Sequence, residues 1–216
     1  MKRFGLGLAA LLVGGSSLQA QVVNGGFESP FCSFICINTT VTGWTNYGSI
    51  DHIGSLWQAA SGNSSIDMNG DFRGGIGQVV TGLTAGRTYD LSFIMSKNPV
   101  LASADMDVLW LTANPGANFF TAAPGTLFNY TGSNSSTNML WTARNTSFVA
   151  TATSMFLGFR SQELGARGDI RAGAALDDVF LTPGAVSIVP EPTTNALLAG
   201  GLFAMFALYR RRRTLR

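Results

Sequence analysis

Charge is scarce in this chain: Lys, Arg, Asp and Glu together make up 12% of its 216 residues, and His52 is its single histidine. An apolar share of 46% excludes a solvated disordered polymer, which needs few apolar residues and a high net charge. One histidine and two cysteines exclude the usual zinc ligand sets. Reactive machinery is equally sparse. Asp51 stands next to His52, but neighbours on a strand face opposite ways. No Gly-x-Ser-x-Gly elbow accompanies them. "GGIGQ", from Gly74, lacks the third glycine and the following helix of a dinucleotide fingerprint. Glycoside hydrolysis needs two carboxylates across a cleft; Asp67, Asp105 and Glu163 are candidates that no pattern singles out. Long helix-period segments are absent. So are apolar runs of the roughly 20 residues that span a bilayer: the run Ala196–Tyr209 has 14.

What is present is most legible at the two ends. Lys2 and Arg3 precede the apolar stretch Leu6–Val13, and "SLQA" closes at Ala20. This pattern predicts a secretory signal peptide over residues 1–20 and a mature start near Gln21. At the other end Pro190-Glu191-Pro192 precedes the apolar run, and Arg210, Arg211, Arg212 and Arg213 follow it. As a helix the run would be about 21 Å long, short of the roughly 30 Å hydrocarbon layer. It is apolar on every side, so it is no amphipathic surface helix, and the arginines would stay cytoplasmic. The segment reads as a transient membrane anchor through residues 196–209; the alternative is a buried C-terminal core helix. Export together with this stop places residues 21–189 outside the inner membrane.

These ends also distort the charge balance. They hold seven of the fourteen basic residues and one of the twelve acidic ones, which leaves the central region with seven basic and eleven acidic groups, about −4 net. A mildly acidic domain with scattered arginines offers no electrostatic footprint for nucleic acid.

The central region is rich in Gly, Ser, Thr and Asn. Short alternating runs recur between turn residues, predicting strands at Gln21–Phe27, Thr42–Tyr47, Ser49–Ile53, Ser64–Met68, Gly75–Val80, Thr88–Met95, Met106–Thr112, Thr142–Val149, Ser154–Arg160 and Ala174–Leu181. In "TYDLSFIMS" Tyr89, Leu91, Phe93 and Met95 share a face. Asn129–Asn138 reads as a polar loop. Many short strands with frequent turns predict an all-β sandwich of one domain over 21–182. A linker follows over 183–189 and the terminal segment over 190–216. Cys32 and Cys36 are predicted to pair outside the cytoplasm, closing the loop "CSFIC"; two free thiols are the alternative.

Sugar rings pack their C–H faces on aromatic surfaces while polar groups fix their orientation. Trp44, Tyr47, Trp57, Trp110, Tyr130 and Trp141 are the stacking candidates, each with a core role as alternative. Asp67, Asn69, Asp71 and Arg73 cluster in "IDMNGDFRGG", a composition suited to hydroxyl recognition or to a solvated turn. Of these, Trp57, Tyr47, Asp67, Asn69 and Arg73 form the predicted ligand-binding set.

Two resemblances add to this reading. Val189–Pro192, the apolar run and the Arg cluster resemble the PEP-CTERM sorting signal of Gram-negative bacteria. That implies processing near the triplet by an exosortase and delivery to the cell surface or the extracellular polysaccharide matrix. "NGGFE", "IGSLWQAASGNSSIDMNG", "GGIGQ", "GRTYDLSFIMSKNP" and "LDDV" resemble, in order, the choice-of-anchor C family. That implies a galactose-binding-like jelly roll, the architecture of many carbohydrate-binding modules. It also implies a structural Ca²⁺ at Glu28 and Asp177, for calcium takes six to eight oxygen ligands; the alternative is that these carboxylates bind backbone amides. The function expected is a non-catalytic carbohydrate-binding module of the biofilm matrix. A scaffold protein without a sugar site, or a polysaccharide hydrolase, are the alternatives.

Overall fold

The computed structural model describes residues 21–163 and 171–184, and residues 200–202, 205, 206, 209 and 210 of the C-terminal segment. The chain divides into two units after Gly184. The first is, over its described residues, an all-β sandwich of eleven strands: β1 (Ile35–Ile37), β2 (Thr45–Gly48), β3 (Asp51–Ile53), β4 (Ser65–Asp67), β5 (Gly74–Thr81), β6 (Thr88–Lys97), β7 (Ala104–Leu111), β8 (Thr126–Tyr130), β9 (Thr142–Val149), β10 (Ser154–Ser161) and β11 (Ala174–Pro183). One sheet has the order β1-β3-β4-β11-β6-β9 and the other β2-β5-β10-β7-β8. The strand pairings in both are antiparallel. This is the jelly-roll sandwich that the strand pattern and the resemblance imply.

Alternation builds the core. Tyr89, Leu91, Phe93 and Met95 of β6 point inward, as predicted, and meet Met155, Leu157 and Phe159 of β10 from the facing sheet. The other side of β10 carries Phe156, which joins Tyr47, Leu109 and Phe119 in a second cluster on the outer face of the five-stranded sheet. The connection from β7 to β8 lies over that face, and Phe119 is its buried anchor. A third cluster, Ile53, Trp57, Met139 and Ala175, covers part of the six-stranded sheet.

The N-terminal segment Gln21–Phe27, read from sequence as a strand, is instead a run of turns. Asn24 and Phe27 have φ of +51° and +59°, which an extended strand does not admit. Gly25 packs its Cα against the Val179 carbonyl, where a Cβ would clash, and its own carbonyl accepts the Val179 N–H at 2.9 Å. The contact falls at a bulge in β11, where the register with β6 shifts between Asp177 and Phe180 and Asp178 has φ +49°. Turn and bulge support each other. Two strands, β1 and β8, lie where no strand was predicted; β1 runs through the disulfide loop.

In the second unit the described residues are helical and exposed, and the Arg210 guanidinium lies 5.5 Å from the Phe206 ring. No helix among the described residues is long and apolar enough to cross a membrane. The signal-peptide reading of residues 1–20, and Pro190, Glu191, Pro192, Arg211, Arg212 and Arg213, lie outside the described residues.

Candidate functional site

Cys32 and Cys36 form a disulfide. The loop they close is too short to bury the aromatics in and beside it, so Phe34 within it and Phe31 just before it stand 55% and 74% exposed. Beside it runs the long β3–β4 connection, residues 54–64. Gly54 and Ser55 donate their N–H groups to the carbonyls of Phe34 and Ser33 at 2.8 and 3.2 Å. Between the two segments lies a cleft of about 530 Å³, walled by Phe31, Ser33, Ser55, Gln58, Ser61 and Asn63.

Two carboxylates hold the connection in place. Glu28 Oε1 accepts the N–H groups of Asn63 and Ser64 at 2.9 and 3.0 Å. Asp177 Oδ2 accepts those of Ala60 and Ser61 at 2.9 and 3.3 Å, and its Oδ1 accepts the Asp178 N–H at 2.7 Å. Ser61 Oγ donates to Asp178 Oδ1 at 2.6 Å. Burial pushes the Asp177 carboxyl up to about 7. Glu28 and Asp177 thus act as a clamp on four backbone amides of the connection. This donor set does not fit a cation cage: carboxylate oxygens already facing N–H dipoles are poorly placed for calcium, which collects six to eight oxygens. Among the described residues no group of three acidic, His or Cys side chains is placed to hold a metal.

The predicted ligand-binding set does not assemble into one site. Trp57 is only 4% exposed, and its indole N–H donates to Ser65 Oγ at 2.8 Å. It forms the floor of the cleft rather than an open platform. Tyr47 belongs to the opposite sheet, stacked on Phe119 with ring centres 3.9 Å apart and planes 7° apart; its hydroxyl donates to Asn114 Oδ1 at 2.6 Å. Arg73 donates from Nε to the Ser161 carbonyl at 2.6 Å and from Nη2 to Gln162 Oε1 at 2.7 Å. Asn69 is fully buried. Asp67 is buried too, although it borders a separate depression on the sheet edge. The other rings are also engaged: Trp44 donates to the Asn24 carbonyl, Trp110 stacks on Phe148, Tyr130 donates to the Leu140 carbonyl and Trp141 to that of Gln58. The open aromatics of the sandwich are phenylalanines, Phe31 and Phe34 among them, and not the tryptophans and tyrosines predicted to stack on sugars. The signal was there: two cysteines four apart flanked and spanned by Phe31 and Phe34.

The hydrolase candidates do not converge either. Asp67 and Asp105 border different clefts, and Glu163 is buried, accepting the Asp105 N–H at 2.8 Å. His52 is buried with Nε2 2.8 Å from the Phe27 carbonyl, and burial lowers its pKa.

Fold and cleft together define a β-sandwich module with an open cleft between its disulfide loop and the β3–β4 connection. The chain belongs to the family described as "Protein of unknown function (DUF642)", whose model matches residues 21–182. A segment of halomucin from Haloquadratum walsbyi is 33% identical over 122 residues, covering 46% of this chain and 1% of that protein. The chain therefore spans about one hundredth of that relative's length. Among solved structures, TmCBM61 in complex with β-1,4-galactotriose is similar with a TM-score of 0.48 and 15% identity, over 76% of this chain and 99% of that one. The CBM22-1 xylan-binding domain from Paenibacillus barcinonensis Xyn10C gives 0.43 and 16%, over 70% and 97%. The K2 cleaved adhesin domain of Lys-gingipain gives 0.48 and 15%, over 73% and 96%.

Proposed function

We propose that the protein is an exported, non-catalytic polysaccharide-binding module that works at the cell surface or in the extracellular matrix. The observation that carries this reading is the Phe31 cleft. An open aromatic ring stands over a wall of Ser, Gln and Asn side chains. The ring suits the C–H face of a pyranose, and the neutral donors and acceptors suit its hydroxyls. The clamp by Glu28 and Asp177 holds that wall before ligand arrives, which lowers the ordering cost of binding. The PEP-CTERM-like tail and the choice-of-anchor C resemblance support the location: exosortase processing, transient anchoring through residues 196–209, then release to the matrix. Single contacts of this kind are weak, and many copies in a matrix would gain by avidity.

Retention of the full chain on immobilised polysaccharides tests the reading. Phe31→Ala is expected to weaken binding about tenfold, on the order of 1.4 kcal/mol, while an exposed position leaves stability within about 0.5 kcal/mol. No retention on any polysaccharide would favour the scaffold reading, for which the exposed Phe34, Ile37 and Phe180 would supply protein contacts.

A further inference from the structure

The six-stranded sheet ends in β1 and β9, and the five-stranded sheet in β2 and β8. An edge strand carries unpaired N–H and C=O groups, and proteins blunt it with short length, bulges, prolines or charges. β1, β2 and β8 have three, four and five residues. β8 is also capped, since its Asn129 carbonyl accepts Arg144 Nη2 at 2.8 Å. β9 has none of these protections. Its eight residues, "TARNTSFV", include no proline, glycine, lysine or acid. They pair with β6 in an unbroken register, from Thr142 opposite Met95 to Val149 opposite Thr88. Among the described residues only β6 bonds the β9 backbone. Every second residue of such a strand turns its N–H and C=O to the open side. The one charged side chain, Arg144, is engaged at β8. Threonine, phenylalanine and valine favour the strand conformation.

The pattern of β9 matches itself. Ala143, Asn145, Ser147 and Val149 are exposed, whereas Arg144, Thr146 and Phe148 are half-buried. Phe148 stacks on Trp110 with ring centres 4.8 Å apart. Two copies joined edge to edge by a two-fold axis run antiparallel and keep their outer faces on the same side. Residues opposed in an antiparallel pair share a face. Exposed positions must therefore meet exposed ones, and half-buried positions half-buried ones. A register centred on Thr146 meets this condition. Thr146 opposes its twin, Asn145 opposes Ser147, Arg144 opposes Phe148 and Ala143 opposes Val149. Thr–Thr contacts of this kind stabilise sheets, while like charges directly opposite destabilise them. Here no arginine meets an arginine, whereas a register centred on Arg144 would set the two face to face. The polar Asn–Ser contacts and the apolar Ala–Val contacts are matched as well.

We infer that β9 is a self-association edge: two copies of this chain pair antiparallel through Ala143–Val149, centred on Thr146, and join their six-stranded sheets into one. The inference does not depend on glycan binding, although a pair would carry two Phe31 clefts and so gain by avidity. The test is sedimentation velocity of the full chain over a range of concentrations, with two double variants at exposed positions. Asn145→Lys with Ser147→Lys sets lysine against lysine across the register, and is expected to weaken association by about tenfold or more. Asn145→Lys with Ser147→Glu sets lysine against glutamate, and is expected to keep it. Hydrogen exchange on the unmodified chain gives a second reading that needs no variant: amides of β9 should become more protected as concentration rises, while those of β1, β2 and β8 do not. A chain that stays monomeric throughout overturns the inference. Association that survives the lysine pair, or that both variants abolish, overturns it too, because the contact then lies on another surface or in another register. Exchange at β9 that is independent of concentration has the same consequence, even where the variants fail to fold.

Discussion

At the residue scale the most consequential pair is Arg160 and Asp107. Arg160 lies on the outward side of β10, where alternation alone marks it as solvent-facing. Instead the connection from β7 to β8 covers it. Its Nε and Nη2 donate to Asp107 Oδ2 at 2.9 and 2.6 Å, and Nη1 donates to the Phe119 carbonyl at 2.8 Å. The two side chains are 5% and 3% exposed. Gly75 lies beneath this cover, and a Cβ there would come within 2.5 Å of the Phe119 ring. Removing one partner of a buried pair strands the other charge. Arg160→Ala is therefore expected to cost about 3–5 kcal/mol in denaturant unfolding, with a fall in Tm on the order of 10 °C. A loss below about 1 kcal/mol would show that the pair behaves as an exposed one.

At the scale of elements, the β3–β4 connection depends on carboxylates distant in sequence. Glu28→Gln keeps the shape but loses the charge that draws in two amides. The expected result is faster hydrogen exchange at Asn63 and Ser64, by about tenfold for a loss near 1.4 kcal/mol, and weaker glycan binding through the loosened cleft wall. If Glu28 and Asp177 form a clamp and not a calcium cage, the wild-type melting temperature is the same in calcium and in chelator. A calcium-dependent rise of several degrees would restore the metal. Most strands were legible from alternation because one face of each is buried: β6 and β9 match their predicted spans closely. β1 was missed because a strand of three residues that straddles the closing cysteine of a disulfide loop carries no usable period. The first predicted strand failed because Gly25 and Gly26 serve a turn against β11, a requirement created by Val179 far along the chain.

At the scale of the whole molecule, three carboxyls set the pH dependence. Burial raises Asp51 to about 6, and Asp67 and Asp177 to about 7. The folded state therefore holds protons that the unfolded chain, with ordinary carboxyls, gives up. Stability from these groups is full below the ordinary carboxylate range and is lost as pH rises through 6 to 7. Melting curves are expected to show a Tm several degrees lower in mildly alkaline than in mildly acid buffer, a gap that Asp67→Asn narrows. A Tm that climbs steadily over this range would contradict the burial of these acids.

The sequence by itself determined the sandwich, the disulfide partners and the scarcity of reactive groups, because alternation, cysteine number and composition are local or global properties of the string. Tertiary structure decided which rings are open and which carboxylates are engaged. Trp57 and Tyr47 look like sugar platforms until a neighbouring loop covers them, and Glu28 and Asp177 look like metal ligands until the β3–β4 amides reach them. Exposure and hydrogen-bond partnership belong to pairs of residues brought together by the fold, and no single stretch of chain encodes them.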